Sequence, residues 1–169
     1  MASDIDAGSS KREGSAIERL LTRWENKVEF VVTQAEFALS AANDKSSVNE
    51  RGELVMQVQT HTAEAAARYS RGEIRVVPFQ GAHDRDSAGE PIIGAIKCNE
   101  GHLQIGVLLN KSSISDLVAS GVCAAHSSGP RVYIALWLSS KLPSWNGEGQ
   151  LWVKEATFVV RSSDQARAT

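Results

Sequence analysis

The stretch that decides the fold is Val28–Thr62, VEFVVTQAEFALSAANDKSSVNERGELVMQVQTHT. At helical spacing, an apolar stripe beginning with Ile17, Leu20, Leu21 and Trp24 continues through Val28, Val31, Val32, Ala35, Ala38, Leu39 and Ala42. That reading leaves Phe30 and Phe37 on the solvent side. As a strand, Val-Glu-Phe-Val-Val-Thr has strong β propensity. Asn43–Arg51 then supplies a polar loop suited to the tip of a long hairpin, and Leu54, Met56, Val58 and Thr60 alternate as a half-buried strand requires. A short internal likeness favours strands too. Val32–Leu39 (VTQAEFAL) and Val153–Val160 (VKEATFVV) share the pattern V-polar-Q/E-A-x-F-x-aliphatic. The helix formers of Ala63–Tyr69 (AEAAARY) pull the other way. Strands are therefore expected across the stretch, with a helical hairpin packed on an antiparallel sheet as the alternative.

Upstream, Ser15 with Glu18 makes a capping box that opens a helix. Residues 1–14, with Ser9-Ser10-Lys11-Arg12-Glu13-Gly14, carry too little apolar surface to offset their ordering entropy and read as a disordered tail; 162–169 read the same way. The single globular domain is then 15–161. Downstream, Glu73–Phe79, Pro91–Cys98, His102–Leu109, Arg131–Leu138 and Gln150–Arg161 read as strands, Pro78 suggesting an edge or a bulge. Ser113 with Asp116 opens a short helix that Gly121 can end. Short strands without regular βαβ alternation predict an α+β, β-dominated chain: an antiparallel β-sandwich or open barrel with an N-terminal helix and one short internal helix.

Composition narrows the function. The chain has 169 residues, Lys+Arg 18 against Asp+Glu 20 and a net charge of −2, which argues against a free nucleic-acid binder. Two cysteines make no disulfide scaffold. No apolar run approaches the ~20 residues of a membrane helix, and residues 1–15 hold no apolar core of a signal peptide. A cytoplasmic protein is expected.

The candidate chemistry lies in four places. Each cysteine has a histidine close behind, Cys98 with His102 and Cys123 with His126, and two thiolates with two imidazoles form the ligand set of a tetrahedral zinc site. A two-residue Glu100-Gly101 turn would turn Cys98 and His102 to opposite faces; a three-residue turn with a glycine bulge would bring them together. The loop His83–Glu90 gathers a histidine with Asp84, Asp86 and Glu90, but its spacing fails the EF-hand pattern. Trp145, on a Pro/Gly loop between strands, is either a binding anchor or a plug for the end of the sheet. Tyr133 and Trp137 share the face of their strand opposite Val132, Ile134, Leu136 and Leu138, and need cover from Leu20, Leu21 and Trp24 or from a partner. No nucleophile elbow, phosphate loop or zinc-protease motif occurs. The reading is a non-catalytic binding or assembly module acting through protein–protein contacts or self-association. It uses Trp145, Tyr133 and Trp137 and needs no cofactor. A zinc enzyme or zinc-stabilised domain is the alternative.

Overall fold

The computed structural model describes residues 26–66, 68–79, 81–125 and 131–161. The deciding stretch is a pair of antiparallel strands, β1 (Lys27–Asp44) and β2 (Ser47–Thr60), joined at Lys45-Ser46 with Asp44 opposite Ser47. Phe30 shows why the helix loses. It is 0% exposed, whereas the helical stripe would turn it to water. Val28, Phe30 and Val32 of β1 face the interior together with Leu54, Met56 and Val58 of β2, the alternation a half-buried strand predicts. The helix formers that follow make a single turn, α1 (Ala63–Ala66), with Ala65 and Tyr69 both buried.

Five further strands complete the sheet: β3 (Arg71–Pro78), β4 (Gly94–Asn99), β5 (His102–Leu109), β6 (Arg131–Leu138) and β7 (Leu151–Arg161). Their order is β1-β2-β3-β5-β4-β7-β6, and the ladder closes where β6 pairs back onto β1 over Lys27–Val31. All-antiparallel pairing, expected from the sequence, is corrected at one join. β3 and β5 run parallel, from Arg71 opposite His102 to Pro78 opposite Leu109. The cause is connectivity: the connection after β3 carries the chain one strand too far, and the tight β4–β5 turn folds β5 back into the gap. Pro78 therefore marks no edge; it is the last residue of an interior strand, after which the Phe79 N–H donates to the Leu109 carbonyl (2.9 Å). The internal helix, α2 (Lys111–Ala119), starts earlier than its Ser113 signal because the Asn110 side chain caps it, accepting from the Ser113 N–H. The N-terminal helix and both expected tails lie outside the described residues.

The internal likeness has a structural meaning. In β1, Val32 pairs with Val58 and Gln34 with Gln57, so Thr33 is the extra residue of a bulge. In β7, Val153 pairs with Leu138 and Glu155 with Trp137, so Lys154 is the extra residue. The bulge falls at the second position of the shared pattern both times. Its inward alanine, Ala35 or Ala156, follows two residues later, and the phenylalanine two after that. One extra residue in each strand shifts which side chains face inward.

Both ends of the closed sheet are filled. At one, Tyr69 donates from its hydroxyl to the Trp145 carbonyl (2.6 Å) and the two rings lie 5.7 Å apart. Burial raises the Tyr69 pKa, so the phenol remains the donor. At the other, Ile114 of α2 and Val122 of the short 3-10 turn Val122–Ala124 are buried. Beyond this second end the β1–β2 ribbon continues from Ala38–Asp44 against Ser47–Glu53, its residues paired only with each other among the described strands. Leu39 and Val48 on this arm are 66% and 68% exposed.

Trp145 is 8% exposed and packed against the core. Trp145→Ala is expected to cost about 3–5 kcal/mol of stability, read as a drop in the urea midpoint. An unchanged midpoint would mean that the loop, not the core, holds this ring.

Candidate functional site

A concave surface lies on the outer face of β4, β5 and β7. Register builds its floor. Ala95 stands opposite Gly106 on one side and opposite Trp152 on the other, and residues directly opposite share a face. A row of glycine, alanine and tryptophan therefore crosses three strands. Gly106 leaves open space where a side chain would project. Gly94 beside it has the opposite reason to be glycine: a Cβ there would stand 2.1 Å from the Gly106 carbonyl oxygen. Trp152 is 37% exposed and forms one wall; Leu108 continues the lining, and Phe79, Arg85 and Ile92 close it from the loop side. The enclosed volume is about 580 Å³, within the range of small-molecule and side-chain sites.

The acidic loop singled out in the sequence borders this groove through Ala82, Asp84 and Arg85, and two of its three carboxylates already have a cation. Lys154, turned outward at the β7 bulge, donates from Nζ to Asp86 Oδ2 and to Glu90 Oε2 (2.7 Å). Asp86 Oδ1 accepts from the backbone N–H groups of Ala88 (3.0 Å) and Glu90 (2.9 Å), and Arg85 donates to the Gly89 carbonyl (2.7 Å). The Phe79 and His83 rings stack with centroids 4.4 Å apart at the base of the loop. Lys154 holds the Asp86 carboxyl below the usual carboxylate range, and the two carboxylates raise the Lys154 ammonium above its ordinary value. A lowered carboxyl pKa contributes stability above the unfolded value and loses it as pH falls through the folded one; a raised ammonium pKa loses its contribution only as pH rises through it. The Asp86–Lys154 ion pair thus contributes between those limits.

The residues picked from the sequence fall elsewhere. Trp145 plugs the end of the sheet, and Trp137 is 0% exposed, so neither ring offers surface to a partner. Tyr133 is half-buried and lines a smaller cleft with Glu29, His61 and Arg161. The proposed cover, Leu20, Leu21 and Trp24, lies outside the described residues. Of the zinc ligands, Cys98 pairs with Leu103 and His102 with Asn99 across a two-residue turn, Glu100 at φ 53° and Gly101 at φ 80°. Cys98 packs against the core while His102 is exposed on the other face. Cys123 sits in the 3-10 turn at the far end of the sheet, its thiol pKa raised by desolvation, and His126 lies outside the described residues. Among the described residues no three His, Cys, Asp or Glu side chains gather as metal ligands. Trp152, by contrast, was not picked out. Its signal was the alternation Leu151-Trp152-Val153, which places an indole on the outward phase of a strand.

The lining of the groove is mostly apolar. Asp84 and Arg85 are its only charged lining residues among those described, and no serine, cysteine, histidine or lysine lines it there. No helix among the described residues is long and apolar enough to cross a membrane. No protein-family model matches the chain, and neither a characterised protein nor a solved structure matches it.

Lys154→Met is expected to speed amide exchange at Ala88, Gly89 and Glu90, because both carboxylates lose their shared donor while the turn bonds remain. Unchanged exchange would show that the loop's own backbone bonds hold it shut.

Proposed function

We propose that the chain is a non-catalytic cytoplasmic binding module acting through protein–protein contacts, with the Trp152 groove receiving an apolar or aromatic side chain of an extended partner segment. The row Trp152–Ala95–Gly106 beside the Lys154-held loop carries this reading. It joins an exposed indole wall to a floor with almost no side chains, a shape in which a ring can lie flat against the sheet. Aromatic anchors in desolvated pockets dominate the energetics of protein interfaces. An exposed tryptophan is therefore the residue a partner would use. We read the closed sheet as a barrel rather than two packed sheets, which makes the groove a feature of a rigid wall. The free thiols of Cys98 and Cys123 suit a reducing compartment.

Filling the groove tests this. Gly106→Val adds a β-branched side chain into open space at a position with no unusual backbone requirement, so stability should stay within about 0.5 kcal/mol of the parent. Peptides selected from a displayed random library on the parent chain are expected to bind Gly106→Val and Trp152→Ala at least tenfold more weakly. Peptides that bind the filled variant as tightly as the parent would place the docking surface elsewhere.

A further inference from the structure

We infer that the cleft around Tyr133 is a separate binding site for a small zwitterion, a molecule of amino-acid or dipeptide size carrying a cationic amine at one end and a carboxylate at the other. The cleft encloses about 250 Å³ on the outer face of β1, β6 and β7. Its floor follows from register: Glu29 lies opposite Ala135, and Tyr133 lies between Val31 and Val159. Two residues further along β7, in the same phase as Val159, stands Arg161.

The ring of Tyr133 is held from two sides. The Arg161 guanidinium lies 5.4 Å from its centroid, and the His61 ring meets it edge-on at 5.9 Å. His61 is placed by its backbone, which donates to the Glu29 carbonyl (2.7 Å), while the Glu29 N–H donates to Thr62 Oγ1 (2.9 Å). The end of β2 and the start of β1 are thereby locked beside the cleft.

Charge selects the ligand. Glu29 and Arg161 line the same small cleft, yet they form no ion pair with each other among the described residues. Two strand spacings and a four-residue offset put their Cα atoms about 16 Å apart, with Tyr133, Ala135 and Val159 between them. An anion seated on Arg161 would face the Glu29 carboxylate, and a cation seated on Glu29 would face the guanidinium. A ligand with both charges satisfies both, its aliphatic body lying over Tyr133, Ala135 and Val159. Lys27, 3.0 Å from the Glu29 carboxylate, occupies it in the free protein. Partly exposed ion pairs of this kind are weak and exchangeable, so an incoming amine can replace the lysine.

The test is an NMR titration of the full chain with glycylleucine, N-acetylglycylleucine and glycylleucinamide. Glycylleucine at millimolar concentration is expected to shift resonances of Tyr133, His61 and Arg161. Both derivatives, each lacking one charge, should bind at least tenfold more weakly. Arg161→Gln and Glu29→Gln should each reproduce that loss with the parent dipeptide, while Gly106→Val, which fills the other groove, should leave it unchanged. Absence of shifts, or equal binding by either derivative, overturns the proposal. The ligand series reads out on the unmodified chain, so the result does not depend on any variant folding.

Discussion

Closure of the hydrogen-bonded ladder at β1 and β6 is the constraint on which the rest depends. Five residue pairs, Lys27–Val31 against Tyr133–Trp137, turn an open seven-stranded sheet into a ring. An open sheet would expose two rows of unpaired backbone groups, a liability that proteins otherwise cover or charge. Closure also creates the interior that Phe30, Ile134 and Leu136 fill. Because β1 leaves β6 after Val31 and continues along β2 alone, the same strand that closes the ring also builds the projecting arm.

The two bulges link this architecture to the candidate sites. An extra residue reverses the phase of a strand, and in β7 it turns Lys154 outward beside Glu155. From there the ammonium reaches two carboxylates of a loop more than sixty residues earlier in the chain. The tie between that loop and the sheet therefore comes from an irregularity in the ladder. Upstream of the bulge, Trp152 forms the groove wall; downstream of it, Val159 and Arg161 line the Tyr133 cleft. One strand serves both surfaces.

Residue types that look like chemistry in one dimension were spent on structure in three. Asp84, Asp86 and Glu90 gather carboxylates as a cation site would, though without the EF-hand spacing, and the cation at Asp86 and Glu90 is a lysine of the same chain. Cys98 and His102 read as paired metal ligands, but a two-residue turn sets them on opposite faces. Trp145 read as an anchor or a plug, and it is placed as a plug by its carbonyl's bond from Tyr69, 76 residues away. For the carboxylates and for Trp145 the deciding partner is distant in sequence, so no local pattern could name it; for Cys98 and His102 it is the length of the turn between them.

What the sequence determined by itself was local: the strands β3 to β7, the internal helix, the inward set Leu54, Met56 and Val58, and the preference for strands over Val28–Thr62. These follow from side-chain period and turn chemistry, which act over a few residues. Even the bulges were written there, as a repeated octapeptide whose meaning needed the partner strands. Only the tertiary structure decided the parallel β3–β5 join, the closure of β6 onto β1, and the convergence of Trp152 with Ala95 and Gly106. Those are pairings between segments far apart in the chain. Burial of a shared interior and satisfaction of every strand's hydrogen bonds select them together, and neither is a property of any one segment.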